Sequence, residues 1–366
     1  MEVGIIGLSQ SGKTTIFNAL SKGSSSTNLS PALANKINFG VAKVPDIRMK
    51  PLQEMFKPQK TTYAEVRYTD LPTSSDRTSR DQGITGESLN LLQRTDAIVN
   101  VVRAFDNPVV PHIEGSIDPK RDLQNMTMDL VLSDLLIIER RLTKLSGELK
   151  NTKAADKDNK SREYSTLQRI QEQLELEIPI RDQEIATDEA KLFENYQFLT
   201  SKPMLIIFNI PDTDSDQADS LEKELKLTYA KVKIDVVTMC GSLEMELSEI
   251  EDEEAEEFRN NMHLQEPGLY RAIRSSYQLL GLTSFFTVGP DEVKAWTIDK
   301  NLAASKAAGK IHSDIERGFI RAEVISYDHL MECGGIPEAK KKGLLRLEGK
   351  TYPVQDGDVI NFLFNV

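Results

Sequence analysis

Six residues into the sequence, Gly7-Leu8-Ser9-Gln10-Ser11-Gly12-Lys13-Thr14 fits G-x-x-x-x-G-K-[ST], the pattern of a phosphate-binding loop. The residue types say what it would do. Glycines let backbone N–H groups turn inward around phosphate oxygens, and a helix beginning at the lysine adds its positive end. Lys13 would reach the β and γ phosphates, and the Thr14 hydroxyl would hold Mg2+. Ser9, Gln10, Ser11, Gly12, Lys13, Thr14 and Thr15 are thus the expected nucleotide contacts, with Lys13 and Thr14 acting at the transferred phosphoryl group. A second acidic partner for the metal is expected at the end of an apolar strand, and Asp70 in Thr69-Asp70-Leu71-Pro72-Thr73 stands there. The plainer alternative is an Asp capping the turn before Pro72.

Base recognition would fall to Asn209-Ile210-Pro211-Asp212 and to Cys240-Gly241-Ser242. Asn at a strand end with Asp three residues on is similar to Asn-Lys-x-Asp, in which Asp accepts from guanine N1–H and the exocyclic amine while Asn braces the site. Ile210 occupies the position of the stacking lysine. A simple Asn-Pro-Asp turn is the alternative. No Gln, His or Arg is clearly placed to orient an attacking water, so turnover is expected to be slow.

Elements must hold these groups in place. Val3-Gly4-Ile5-Ile6 reads as a buried parallel strand, and Ile16, Phe17 and Leu20 recur at helical spacing directly after the loop. A chance glycine-rich turn would not carry both flanks. Residues 21–40 read as a mobile loop, where a first switch would lie, with Ala34 and Asn35 where a threonine is expected. Residues 39–44 and 62–68 alternate like paired strands, and 74–88 read as a second loop. Further buried strands are expected at 96–102, 203–208 and 232–238.

From about Asp118 the period changes. Met128, Leu135, Leu142 and Leu149 repeat every seven, interleaved with Val131, Ile138 and Leu145, and Leu167, Ile170 and Leu174 resume the stripe after a charged tip at 151–162. That pattern predicts an antiparallel helical hairpin inserted into the nucleotide domain. Residues 244–257 read as one solvated acidic helix face, and 268–280 as a helix. Beyond residue 282, short strands around one helix predict an α+β module of about 85 residues. Its Lys340-Lys341-Lys342 cluster reads as a solvated turn.

The 366 residues exceed one ordinary core, and 39% apolar with 28% charged residues is a globular balance. No apolar run suits a membrane span, and Met1-Glu2-Val3 opens a strand instead of a targeting segment. Two cysteines, Cys240 and Cys333, exclude a disulfide framework and point to a reducing cytoplasm. A net charge of −12 argues against wholesale electrostatic nucleic-acid binding, so any RNA contact would use a local basic face.

Taken together, the stretches 7–20, 95–103, Ala295-Trp296-Thr297-Ile298, 312–328 and 356–366 resemble the YchF family of Obg-like, translation-factor-class NTPases. The resemblance spans nearly the whole chain. It implies an α/β fold with a Ras-like phosphate-loop domain at 1–117 and 201–281, an inserted coiled coil at 118–200, and a β-grasp, TGS-like domain at 282–366. It also implies slow hydrolysis of ATP or GTP with Mg2+, coupled to ribosome or RNA contact through the C-terminal domain, in a cytoplasmic monomer. The chain departs from the family at Ala34, at Asp70-Leu71-Pro72-Thr73 (where the family has Asp-x-x-Gly), at Ser74, at Asp212 (where the family has Glu), and at Cys240-Gly241-Ser242. Asp212 is nearer a guanine reader. The competing readings are a nucleotide scaffold with little hydrolysis and, with less support, a metabolic kinase.

Overall fold

The computed structural model describes residues 1–21, 38–71, 84, 86–151, 154–261, 264 and 266–365. The positions read as switch residues, Ala34 and Asn35, lie outside them, as do Pro72, Thr73 and Ser74. The chain folds into two compact units, Met1–Val41 with Arg67–Ser276, and Ala42–Val66 with Tyr277–Val366.

The first unit opens with β1 (Glu2–Gly7), which leads through the phosphate loop to α1 (Lys13–Ser21). Then β2 (Asn38–Lys43), α2 (Met49–Phe56), β3 (Lys60–Thr62), β4 (Glu65–Asp70), α3 (Gly86–Arg94) and β5 (Ala97–Arg103) follow in the chain. Of these, α2 and β3 belong to the second unit. Two long helices come next, α4 (Pro119–Asn151) and α5 (Ala154–Glu175), then α6 (Thr187–Phe193) and β6 (Met204–Asn209). After them stand α7 (Ala218–Tyr229), β7 (Ile234–Met239), α8 (Gly241–Glu249), α9 (Asp252–Asn261) and α10 (Gly268–Leu279). One six-stranded sheet has the order β2-β4-β1-β5-β6-β7, with β4, β1, β5, β6 and β7 mutually parallel. Strand β5 is buried at every position and β6 likewise, which is why both read as continuous apolar runs. Parallel strands end at the same edge, so the C-termini of β1, β4, β5, β6 and β7 converge on the phosphate loop.

Helices α4 and α5 pack along the expected seam. Val131, Ile138, Leu145, Leu167, Ile170 and Leu174 are buried in one cluster. Met128, Leu135 and Leu142 pack against it only partly buried. Arg141 to Glu163 and Lys160 to Glu148 ion pairs set the two helices antiparallel. The expected charged tip is shorter than the sequence suggested, because α5 already runs from Ala154. Two of its charges find partners: Lys160 meets Glu148, and Arg162 bonds Asp188.

Two further expectations change. The strand expected at 62–68 is broken: Lys60–Thr62 pairs in parallel with Glu292–Lys294 in the second sheet, whereas β4 joins the first. The acidic stretch 244–257 forms two helices, and Glu244 is buried, accepting from Gly268 N–H at 2.5 Å. Burial raises that carboxyl's pKa.

In the second unit, β8 (Leu282–Thr287), β9 (Glu292–Asp299), β10 (Phe319–Ser326), β11 (Arg346–Glu348) and β12 (Asp358–Phe364) join β3 in the order β11-β10-β12-β8-β9-β3. Helix α11 (Ala304–Ile311) packs Ala304, Ala307 and Ala308 against Phe285, Ile298, Val324 and Ile360. Small residues on that helix face let it sit close to the sheet.

Candidate functional site

The phosphate loop leaves β1 and returns as α1, whose first residue is Lys13. Gln10 at φ 65° and Gly12 at φ 87° take left-handed backbone, which glycine adopts freely and glutamine does not. Gly12 also has no room for a side chain, since a Cβ there would lie 2.1 Å from Asn209 Nδ2.

At the start of α1, the Thr14 hydroxyl donates to Asp70 Oδ2 at 3.0 Å. Lys13 Nζ donates to Leu71 O at 2.8 Å and lies 3.6 Å from Asp70 Oδ1. Strand pairing explains the meeting: Ile5 of β1 is the register partner of Asp70 of β4, so the two strands finish side by side. Lys13 and Asp70 are both buried. Asp70 Oδ1 and Ser11 Oγ are buried with no hydrogen-bond partner among the described residues. A buried unbonded acceptor is costly unless a ligand completes it. The hydroxyl and carboxylate oxygens are the hard donors that Mg2+ takes, so the residues fit that ion.

Asn209 closes β6 and is buried. Its Nδ2 donates to Ser11 O at 3.0 Å, and its Oδ1 accepts from Gly241 N–H at 2.9 Å. One amide thus ties the phosphate loop to the loop after β7. The approach at Gly241 is tight, since a Cβ would meet Ile16 Cγ1 at 3.0 Å and Asn209 Oδ1 at 3.1 Å. The end of β7 is clamped as well. Glu222 accepts from Thr238 N–H and from Arg271, and Arg271 donates in turn to Thr238 O.

Asp212 is exposed at the head of a short 3-10 segment, Asp212–Gln217, where its carboxylate accepts from Thr213 N–H at 3.0 Å. Ile210 is buried with Ala218 and Cys240, so it packs inward instead of offering a surface to a base. Cys240 is buried, with its sulfur 3.2 Å from Ser242 Oγ. The structure therefore brings Ser11, Gly12, Lys13, Thr14, Asp70, Asn209 and Gly241 together.

Sequence reasoning missed Arg103 and Phe105. Arg103 ends the buried β5, is 2% exposed, and donates to the Phe105, Gln10 and Val110 carbonyls. An arginine closing a buried strand was the available signal.

Comparison with known proteins finds relatives over the whole length of the chain. A model described as 50S ribosome-binding GTPase matches residues 2–137, and one named YchF-GTPase_C, described as a protein of unknown function, matches 282–365. The curated "Ribosome-binding ATPase YchF" of Bacillus subtilis is 38% identical over 100% of both chains. That of Haemophilus ducreyi is 39% identical, and that of Escherichia coli O157:H7 38% identical, each over 99% of both chains. The solved Schizosaccharomyces pombe YchF GTPase superposes with a TM-score of 0.84 at 26% identity, covering 99% of this chain and 97% of that one.

Proposed function

This chain belongs to the YchF family, and we propose that it is a Mg2+-dependent, slow purine-nucleoside triphosphatase whose nucleotide state governs association with the ribosome. The observation that carries the reading is the Asp70 carboxylate set between the Thr14 hydroxyl and the Lys13 ammonium at the start of α1. The names of the relatives supply the ribosome as partner.

In this reading Thr14 and Asp70 hold Mg2+, which when bound neutralises charge on the phosphate oxygens. Lys13 and the loop N–H groups bind and orient the triphosphate. Asn209 keeps the phosphate loop and the Cys240-Gly241 loop in register, and Asp212 approaches the base edge. Catalysis by such a site is positioning and charge stabilisation with little covalent participation by the protein. Residues 1–117 and 201–281, apart from 42–66, which group with the second unit, serve as the nucleotide domain, and 118–200 as a coiled-coil insertion. Residues 282–366 serve as the TGS-like module that meets ribosome or RNA, in a cytoplasmic monomer. GTP and ATP are both candidate substrates: the relatives carry both words in their names, and Asp212 favours guanine.

The test is titration calorimetry with GTP and with ATP, each with Mg2+, followed by phosphate release with and without ribosomes. Binding of at least one triphosphate, with release accelerated by ribosomes, is expected. Absence of binding to both would reduce the chain to a scaffold that has kept the loop without its use.

A further inference from the structure

The phosphate loop is held from behind by two side chains at paired positions. Arg103 and Asn209 are register partners at the C-terminal ends of β5 and β6. Asn209 takes the Ser11 carbonyl and Arg103 the carbonyl before it, that of Gln10, at 3.4 Å.

Arg103 is fixed to do so. Its Nη2 donates to Val110 O at 2.7 Å, its Nε donates to Phe105 O at 3.1 Å, and its guanidinium carbon lies 4.6 Å from the centre of the Phe105 ring. These contacts leave Nη1 directed at Gln10. Among the described residues no carboxylate forms an ion pair with Arg103, although it is 2% exposed. A buried cation bonded, among the described residues, only to carbonyls is expensive, so within them its position is specified by something other than charge pairing. Gln10 is meanwhile the one non-glycine residue of the loop in left-handed backbone, a conformation that needs outside support.

We propose that Arg103 is the positioning residue of the phosphate loop: it clamps the Gln10 carbonyl, keeps Gln10 in its left-handed conformation, and thereby sets affinity for the polyphosphate. This rests on the loop binding nucleotide, as proposed above. It assigns Arg103 no contact with the ligand.

The test is a double-mutant cycle read by calorimetry with ADP and with GDP. Arg103→Lys keeps the cation but loses the planar fork that reaches three carbonyls at once. It is expected to weaken diphosphate binding about tenfold, the scale of one charged hydrogen bond. Glycine adopts the left-handed conformation unaided, so in a Gln10→Gly background the same Arg103→Lys change should cost less than about threefold. A merely structural arginine would lose equally in both backgrounds, and that outcome overturns the proposal. So does wild-type affinity in Arg103→Lys. If Arg103→Lys does not fold, Arg103→Gln, which keeps a donor for one carbonyl, carries the same cycle. A wild-type chain that binds neither diphosphate overturns the reading of the whole site, and this proposal with it.

Discussion

Single side chains decide this site through their second partners. Lys13 and Thr14 both reach Asp70, so the carboxylate, the hydroxyl and the ammonium form one unit. Lys13→Ala should weaken nucleotide binding by about a hundredfold or more, which is the loss of a buried cation facing phosphate; retained affinity in calorimetry would rule the loop out as the binding site. Gly12→Ala brings a methyl to within 2.1 Å of Asn209 Nδ2. Either the brace or the loop must move, and nucleotide affinity should fall while the circular-dichroism spectrum stays that of the native chain. Asp212 offers the sharpest test of base preference. Asp212→Ala should weaken GTP more than ATP. Equal losses would leave it as the turn cap that its bond to Thr213 N–H already makes it.

Among the elements, the long helices are anchored to the chain that follows them by one buried carboxylate. Asp134 on α4 accepts from the Leu199 and Thr200 N–H groups, at 2.8 Å each, and from the Thr200 hydroxyl at 2.7 Å. Burial pushes its carboxyl up to about 6, against the pull of those bonds and of nearby Arg181. Unfolded, the group titrates near ~3.9. Between those values the folded chain binds the proton more tightly. The contribution of Asp134 is therefore fully present below about pH 4 and is lost as pH rises through about 6, a swing on the order of 2–3 kcal/mol. Measured against Asp134→Asn, wild-type stability should decline across that window. A difference that stays flat with pH would show that the bonds to 199 and 200 balance burial, and one that rises with pH that they outweigh it.

For the whole molecule, the compact units do not follow the order of the chain. Residues 42–66 group with 277–366: β3 pairs with β9, and Arg48 donates to both Asp46 and Asp356. Removing 282–366 would strip β3 of its sheet. It should yield a chain that binds a hydrophobic dye and is cut by protease within 42–66. A truncated chain with the native thermal midpoint would contradict this grouping. A gentler probe is Arg48→Met, expected to cost about 1–3 kcal/mol by leaving two carboxylates without their shared donor.

The phosphate loop, the buried parallel strands, the heptad seam and the family were all legible in the amino-acid order. Each of these is a local pattern: glycine spacing, a run of apolar residues or a repeat of seven is written in consecutive positions. That Asp70 ends a strand was legible for the same reason. Folding alone settled the contacts between residues far apart in the chain. Asn209 meets Ser11 and Gly241, Arg103 meets Gln10, Glu244 caps Gly268, and the 60–68 stretch divides between two sheets. In a parallel sheet, which strands end side by side depends on crossovers and register. No run of neighbouring residues records that choice.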